Sequence, residues 1–486
     1  MRRLTTITLT LIASTALAGP YIPAGNTALR SDIQRLADAG IITGPITSWP
    51  LAWGPILKAL NDADLSKQPP GILDVVRRVQ RRADWETRTG ELTYDAELGI
   101  SNNRARIRSF QNTPRGRAEA SLGADWVGEM FGADVNVQVV DAGDDDQVLR
   151  ADDSLVGFMF GNWSIAASTQ NRWWGPGWDG SLILSNDARP FPALTIDRVF
   201  TDAFEAKWLS WIGPWDFTAI FGQLEKDRAV PNTRFFGMRF VFRPLHSLEI
   251  GISRTALWCG DGRPCGLSTF GDLFIGNDNR GANLSPADEP GDQLGGVDFR
   301  WSPIFGTPIG LYGQFIGEDE AGGFPSRFLA MGGVEASGLI QRGSWSWRGF
   351  LEFSGTTCDV LKNEIYNCAY NHSIYQTGYR YRGYVIGHGA DNDAKIATLG
   401  VVLVNDNDTQ WRALIRSGTL NGGGPPDVHN LLTPTPQDLA SIDIAYSHTF
   451  PFGVIEGSVG YETLDDVNSG QSNSEARFGL QWRSSY

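Results

Sequence analysis

The sequence contains few of the residues on which many enzymes and metal sites depend. It has 4 Cys, 5 Met and 5 His in 486 residues. The motifs G-x-S-x-G, H-E-x-x-H and G-x-x-x-x-G-K-[ST] are absent. The 41 Lys and Arg are outnumbered by 55 Asp and Glu, and the net charge of −14 argues against nucleic acid as a partner. We therefore predict no catalysis, no cofactor and no metal site.

Long apolar runs are also missing, apart from the N-terminus. Arg2 and Arg3 precede an apolar stretch at 4–16 and an Ala-Leu-Ala site, which predicts a signal peptide over residues 1–18. No later run of 18 or more apolar residues occurs, so no transmembrane helix is expected. The last strand, 476–486, alternates apolar and charged residues and ends on an aromatic. It resembles the signal by which the barrel assembly machinery recognises outer-membrane barrels, although a soluble sandwich could end similarly.

Glycine, aromatics and strict alternation dominate the remainder. Leu92, Tyr94, Leu98 and Ile100 share one parity, and similar rows recur from residue 91 to the end. The opposite parity carries charged residues, among them Asp298, Arg300, Arg239, Arg348 and Glu352. Apolar residues outside and polar residues inside are typical of a membrane barrel. A soluble secreted β-protein is the alternative.

Connections between these strands alternate in length, which predicts about 18 antiparallel strands over 91–486. Short turns lie near 128–129, 161–162, 213–214, 244–246, 302–307, 341–343, 405–408 and 451–453. Long connections lie near 102–116, 142–153, 171–202, 225–233, 256–293, 318–328, 355–393, 419–439 and 463–474. Short periplasmic turns and long surface loops are the expected asymmetry of an outer-membrane barrel, with lipids and lipopolysaccharide around it. The acidic stretch 141–153 could bind calcium, but it lacks the EF-hand order, and we favour a solvated loop.

The segment 19–90 follows a helical period instead. Leu29, Ile33 and Leu36 predict a helix closed by Gly40, and 52–60 and 72–83 predict two more. The last helix carries a row of arginines, Arg77, Arg78, Arg81 and Arg82, on one side. We expect this row to be a solvated face, or one that faces anionic headgroups. The stretch 36–44 faintly resembles surface-layer-homology modules, which bind cell-wall polymers. We prefer a small helical bundle packed on the periplasmic mouth of the barrel.

The four cysteines form two close pairs, Cys259 with Cys265 and Cys358 with Cys368. Export favours two local disulfides. Each pair falls within one of the two longest predicted surface loops. A disulfide there would restrict the unfolded ensemble of its loop.

The segment 171–190 concentrates aromatic and hydrogen-bonding residues among glycine and proline turns. Its candidate residues are Arg172, Trp173, Trp174, Trp178, Asp179, Asn186 and Arg189. Indole faces and amide or charged groups suit sugar binding, and arginines suit acidic sugars. Alternatively, the segment folds inward as a structural plug, with Arg172 and Arg189 paired to lumen acids such as Glu352. A plug can also carry a ligand face.

The 171–190 motif, the exported helical segment and the 18-strand barrel together resemble the Wzi-type capsule assembly proteins. The most specific part is Arg172-Trp-Trp-Gly-Pro-Gly-Trp-Asp-Gly180 with Ser185-Asn-Asp-Ala-Arg-Pro190. The resemblance implies an outer-membrane lectin that holds capsular polysaccharide, with a closed barrel and no catalysis. A porin or substrate-specific channel is the alternative, and single-channel conductance separates the two. A barrel hydrolase using His372 and His388 is a third reading.

Overall fold

The computed structural model describes residues 21–141, 145, 147–275, 291–321, 324–340, 345–423 and 430–484. The predicted signal peptide, 1–18, and the C-terminal Tyr486 lie outside these described residues. None of the helices within the described ranges is long and apolar enough to span a membrane.

Eighteen antiparallel strands in the described residues close into one barrel. In chain order they are β1 (Leu92–Ser101), β2 (Ala118–Val127), β3 (Phe131–Asp141), β4 (Leu155–Phe160), β5 (Trp163–Ser168), β6 (Ala193–Arg198), β7 (Trp215–Gln223), β8 (Arg234–Leu245), β9 (Leu248–Trp258), β10 (Gly291–Trp301), β11 (Ile309–Ala321), β12 (Phe324–Ile340), β13 (Trp345–Gly355), β14 (Lys395–Asn405), β15 (Gln410–Leu420), β16 (Gln437–Phe450), β17 (Gly453–Asp466) and β18 (Ser472–Arg483). The barrel closes where β18 pairs with β1, from Gly479 opposite Ser101 to Arg483 opposite Glu97. The predicted barrel of about 18 strands is confirmed. A two-residue strand, Leu149–Arg150, adds to the edge of β3.

The wall is apolar outside and charged inside, as the alternation predicts. Leu122, Val137 and Phe478 are exposed on the outer surface. Arg239 and Arg348, of the opposite parity, are buried in the lumen. This arrangement inverts that of a soluble protein and suits a wall surrounded by hydrocarbon.

Three predicted connections differ from the observed ones. The long connection predicted at 171–202 contains a strand, β6. The sequence did not reveal it, because Leu194 and Ile196 alternate with Thr195 and Asp197 over only six residues. The prediction of a short turn at 213–214 is consequently wrong: residues 199–214 connect β6 to β7 and include a 3-10 turn at Ser210–Ile212. The predicted loop 318–328 is largely strand, since β11 and β12 extend to Ala321 and Phe324. The predicted turn 341–343 lies outside the described residues.

Three helices precede the barrel, at the positions that the apolar period indicates. They are α1 (Thr27–Asp38), α2 (Trp53–Asp62) and α3 (Pro70–Glu86), with a 3-10 turn at Leu65–Lys67. A fourth, α4 (Leu267–Ile275), lies in the connection between β9 and β10. The side chain of Asn26 accepts a hydrogen bond from Leu29 N–H and so caps α1. Short antiparallel pairs also occur at Tyr21–Ile22 with Leu51–Ala52, Ser48–Trp49 with Trp173–Trp174, and Arg380–Tyr381 with Tyr384–Val385.

Helix α1 enters the barrel lumen rather than resting on its rim. Its buried residues run from Leu29 to Ala37 without interruption, charged ones included. Arg35 donates to the carbonyl oxygens of Gly338 and Trp347 at 2.8 Å each, on β12 and β13. Asp38 accepts from Arg300 of β10 at 2.9 Å. These strands meet α1 near their short-turn ends, so α1 fills that end of the barrel, which we call the short-turn end.

The arginines of α3 divide between the protein interior and its surface. Arg78 is buried and binds Asp32 of α1 through both carboxylate oxygens, at 2.6 and 2.9 Å. Arg81 donates to the backbone oxygen of Asp406, in the turn between β14 and β15, at 2.8 Å. The Arg77 side chain is 64% exposed. The row is therefore not one solvated face, because its second member attaches α3 to α1.

Replacing Arg78 with alanine should lower the free energy of unfolding by about 3–5 kcal/mol, because it leaves the Asp32 carboxylate buried without its cation. Arg77→Ala, one residue away and exposed, should cost at most about 1 kcal/mol. Urea unfolding in detergent micelles measures both. Equal midpoints for the two variants would show that the Arg78–Asp32 pair does not hold the helices together.

Candidate functional site: a buried plug and its arginine-rich cover

Residues 171–190 cross the lumen as a continuous buried segment, which we call the plug. The predicted candidate residues all lie in it and are at most 8% exposed. Its Gly-Pro-Gly bend requires glycine at two positions. Gly175 has a φ of +131°, and a Cβ on Gly177 would lie 2.2 Å from the carbonyl oxygen of Gly180. The sequence thus folds this segment as a tight interior loop.

The three tryptophans of the plug contact protein on all sides but belong to separate clusters. Trp173 packs edge-on against Phe110 with ring centroids 5.4 Å apart, in the core that includes α1. Trp174 lies in the core formed with the long connections. Trp178 stacks on Phe350 of β13 at 5.6 Å. Because these rings are 0–2% exposed, they are occupied by protein contacts.

Arg30 of α1 joins the helical segment to the plug. Its guanidinium carbon lies 4.3 Å from the ring centroid of Trp178 and 4.4 Å from that of Phe110. The same guanidinium donates to the carbonyl oxygen of Pro176 at 2.7 Å. Cation–π contacts of this kind are strongest in desolvated sites.

Glu352 of β13 holds the bend of the plug by its backbone. Its carboxylate accepts from the N–H groups of Trp178 at 2.7 Å, Asp179 at 3.2 Å and Gly180 at 2.9 Å. Tyr312 O–H donates to the same carboxylate at 2.9 Å. Glu352 therefore satisfies plug backbone groups that would otherwise be buried without partners.

Arg172 and Arg189 of the plug pair with acids, as the plug interpretation predicts, but Glu352, the acid named as an example, is not among their partners. Arg172 lies 3.9 Å from Asp197 of β6, and Arg189 binds Asp152 at 2.6 and 3.0 Å. Arg189 also reaches Asp145 at 2.6 Å. Glu352 is unsuited to either arginine because three backbone N–H groups already occupy it.

Asp179 joins the plug to the wall through a buried ion pair. Arg416 of β15 binds it in a bidentate manner, with its nearest contact at 2.6 Å, and Thr398 O–H donates to it at 2.6 Å. Burial alone would raise the pKa of Asp179, but Arg416 holds that pKa below its usual value. Arg416 continues to Asp443 at 3.0 Å. The plug is thus fixed to the wall on the side of β14 to β16 as well as on that of β13.

Sequence reasoning predicted the long connection between β1 and β2 but not its contact with the plug. The connection carries five arginines in residues 104–117 (Arg104, Arg106, Arg108, Arg115 and Arg117) in a chain of net charge −14. This local excess is the signal that could have found it. Arg115 donates to the carbonyl oxygens of Asn186 and Asp187 at 2.8 and 2.9 Å. The connection therefore covers the plug. It joins β1 to β2 at the end of the barrel away from the short turns, which we call the long-loop end, and its inner part reaches α1, where Gln111 accepts from Thr27 N–H at 3.0 Å.

The outer arginines of this cover are partly exposed. Arg106 donates to Glu462 of β17 at 2.8 Å and its side chain is 26% exposed. The Arg104 guanidinium lies over the ring of Tyr384 and donates to its hydroxyl. Asn186 donates to the carbonyl oxygen of Phe110 at 2.8 Å, which ties the cover to the plug from below. The predicted plug residues thus do not converge on one pocket, and the cover lies over them.

The connection between β13 and β14 forms the second part of the cover. The hydroxyls of Tyr370 and Tyr379 donate to the carbonyl oxygens of Leu182 and Ile183 at 2.8 Å each. Arg380 binds Asp391 at 2.6 Å. The disulfide Cys358–Cys368 lies in this connection, and Cys259–Cys265 lies in that between β9 and β10. Both predicted disulfides are confirmed.

The two histidines considered for catalysis serve turn geometry. His388 is 1% exposed, and its Nδ1 accepts from Ala390 N–H at 3.1 Å. His372 Nδ1 accepts from the N–H groups of Ile374 and Tyr375. Across the described residues, no group of three or more His, Cys, Asp or Glu is placed to hold a metal ion. Asp145 and Asp152 of the acidic stretch are instead bound to Arg189.

Replacing Trp178 with alanine should cost about 3–5 kcal/mol of folding free energy, because a fully packed indole leaves a cavity beside Arg30 and Phe350. Trp208→Ala is the matched control, since Trp208 is 75% exposed. Heat modifiability on gels measures the unfolding temperature of both. If the two variants unfolded together with the unaltered protein, Trp178 would not be a packing centre.

Stability should also depend on the protonation of His388. Burial lowers its pKa to about 4, and Arg416 adds to this effect while Asp179 opposes it. The neutral imidazole therefore contributes stability that is complete above the free-imidazole pKa of about 6.5 and is lost as pH falls toward about 4. His388→Asn should reduce the drop in unfolding temperature between pH 7 and pH 4.5. His246→Asn, in the turn between β8 and β9, is the control, and a slope unchanged by His388→Asn would contradict the assignment.

Known proteins that resemble this chain in sequence or in structure include capsule assembly proteins. The family described as capsule assembly protein Wzi matches residues 93–476. A Klebsiella pneumoniae protein, described as an uncharacterized 55.8 kDa protein in the cps region, is 34% identical over 314 residues. That alignment covers 63% of this chain and spans 60% of the relative's length.

The solved structure of Escherichia coli Wzi resembles this one over almost the whole chain. That protein is an outer-membrane protein involved in group 1 capsule assembly and a carbohydrate-binding β-barrel. The TM-score is 0.84 at 25% identity, and the match covers 96% of this chain and 100% of that chain. The family match spans nearly all of the strands that form the closed barrel. This chain belongs to the Wzi family of capsule assembly proteins.

Proposed function

We propose that this chain is a non-enzymatic outer-membrane lectin that binds capsular or other surface polysaccharide and anchors it during capsule assembly. The observation that carries the proposal is the arginine-rich connection 102–117, seated on the plug at the long-loop end. Acidic sugars offer carboxylates, for which the planar guanidinium is the best-matched partner. The carbohydrate binding of Escherichia coli Wzi supports the same reading.

The orientation that we propose follows from loop length. The short-turn end with α1 to α3 faces the periplasm, and the long connections with both disulfides face the cell surface. Outer-membrane lipids and lipopolysaccharide surround the apolar wall, and the barrel assembly machinery recognises the terminal strand. The cover would then meet polymer outside the cell.

The filled lumen supports binding rather than diffusion. Helix α1 occupies the short-turn end, the plug crosses the middle, and the two cover connections pack on it. A porin or substrate-specific channel needs a water-filled path, and the buried contacts of Arg30 and Trp178 lie across that path. This packing disfavours the channel alternative.

The proposed division of labour separates support from recognition. The candidate residues of the plug (Arg172, Trp173, Trp174, Trp178, Asp179, Asn186 and Arg189) act as structural supports, because their side chains are buried. Arg104, Arg106 and Tyr384 form the binding face, because they are partly exposed above the plug. A flat tyrosine ring beside cations suits an acidic pyranose.

The combined substitution Arg104→Ala and Arg106→Ala should release polymer from cells while total polymer stays constant. Each lost charged hydrogen bond is worth about 1.5–3 kcal/mol, so the purified variant should bind the host strain's polysaccharide at least about tenfold more weakly. Cell-bound and released polymer are quantified separately, and affinity is measured by surface plasmon resonance.

Arg77→Ala with Lys58→Ala removes the same charge at the short-turn end and serves as the control. Heat modifiability checks that each barrel is intact. Unchanged retention and affinity in the Arg104 and Arg106 variant, with an intact barrel, would refute the binding face. A fall in total polymer without a released fraction in cells lacking the protein would refute anchoring.

A further inference from the structure

Three successive strands of the barrel wall are shorter than their neighbours. β4, β5 and β6 contain six residues each, whereas their neighbours β3 and β7 contain 11 and 9. The short turn at residues 161–162 joins β4 to β5 at the short-turn end, so these strands stop short at the long-loop end. A groove of about 960 Å³ opens on the outside of the wall above the ends of these short strands.

The lower part of the groove is apolar and continues the outer band of the barrel. Val156, Ala167, Leu194 and Phe221 line it from four adjacent strands. All four side chains point outward, and Val156 and Leu194 are 56% and 49% exposed. Since this band faces hydrocarbon in an outer-membrane barrel, an acyl chain is the occupant that the lower groove suits.

The upper part of the groove is cationic. Lys226, Arg234 and Arg382 line it, with Asp227 as the exposed acid among them. Within the described residues Lys226 and Arg234 have no ion pair, unlike most lumen arginines. Arg234 lies over the ring of Trp258 with its guanidinium carbon 5.6 Å from the ring centroid. The other lining acid, Glu225, is buried beside Arg228 at 3.6 Å, so its charge is balanced.

Helix α4 packs on the outer surface beside two residues that line the groove, Phe221 and Trp258. Phe270 contacts Phe221, Phe236 and Trp258, with ring centroids 6.2, 5.2 and 5.0 Å apart. Leu267 and Phe274 are 91% and 48% exposed on it. The disulfide Cys259–Cys265 ends just before α4 and holds the start of this connection to the end of β9. The helix therefore widens the apolar surface at the height where cations begin.

We propose that this groove binds a phosphorylated glycolipid of the outer leaflet, with an acyl chain along Leu194 and Phe221 and a phosphate at Lys226 and Arg234. Two features together point to this occupant: continuity with the lipid-facing band below and unpaired cations directly above. Phosphate favours arginine and lysine, and Arg234 is oriented by its contact with Trp258. The inference rests on the proposed placement of the long loops at the cell surface and is independent of polysaccharide binding.

The test uses the full-length protein purified in detergent and bis-phosphorylated lipid A as the probe. Native mass spectrometry counts bound lipid, and titration of tryptophan fluorescence gives its Kd. Lys226→Ala with Arg234→Ala should weaken binding at least about tenfold, as expected for the loss of charged hydrogen bonds. Lys58→Ala with Arg77→Ala, the same pair of residue types at the short-turn end, should bind like the unaltered protein.

Three further measurements test whether the groove recognises both the phosphate and the acyl chain. Dephosphorylated lipid A should bind more weakly than the bis-phosphorylated form, and Leu194→Ser should weaken both. Inorganic phosphate at millimolar concentration should not displace the lipid. Equal binding of both lipids, displacement by free phosphate, or unchanged binding in the Lys226 and Arg234 variant would each overturn the proposal.

Polysaccharide affinity is measured on the same variants. Loss of lipid binding with unchanged polymer affinity supports a separate lipid groove. Polymer affinity that falls in the groove variant while lipid binding is unchanged would make the groove a polysaccharide site and overturn the lipid assignment. Loss of polymer affinity in the Arg104 and Arg106 variant alone bears on the proposed function and not on the groove.

Discussion

The structure depends on hydrogen bonds from wall side chains to the backbone N–H and C=O groups that are buried inside the closed barrel. A loop that crosses the lumen buries N–H and C=O groups that no strand ladder can pair. Wall side chains supply the partners: Glu352 accepts three plug N–H groups, and Gln314 accepts from Leu182 N–H and donates to the carbonyl oxygen of Trp174. Glu249 does the same for Ile46 and Thr47 in the segment after α1. Polar and charged residues of the inner wall are therefore part of the plug's fold.

This constraint also explains why the lumen holds so many paired ions. A buried carboxylate that loses its cation is costly, whereas the intact pair with its full set of hydrogen bonds is tolerated. Asp179 with Arg416, and Arg239 with Asp298, are both almost fully buried pairs. The first pair ties the plug to β15. The second links β8 to β10 within the wall, and Arg239 also donates to Thr47 Oγ1 in the segment after α1 at 2.9 Å.

Much of the fold was predictable because alternation and helical period are local properties. The outward rows around Leu98 and Val137, the three helices and both cysteine pairs follow from neighbouring residues. The structural roles of Trp178 and Arg78 could not be predicted from the sequence. A motif rich in tryptophan or arginine has the same sequence whether its side chains face solvent or the lumen. Their burial is decided by Glu352, Phe350 and Asp32, which lie far away in sequence. β6 was hidden for a related reason: six residues between prolines and polar loops carry too little alternation to stand out.

The position of α1 bears on how the barrel can close. The helix precedes every barrel strand in the chain, yet in the finished protein Arg35 reaches β12 and β13, Asp38 reaches β10, and Arg30 reaches the plug. A preformed closed ring would have to admit a charged helix through its mouth and dehydrate it there. Closure of the barrel by pairing of β18 with β1 after α1 has entered would avoid that cost. The two strands that form this seam lie at opposite ends of the barrel sequence, and they pair from Gly479 opposite Ser101 to Arg483 opposite Glu97.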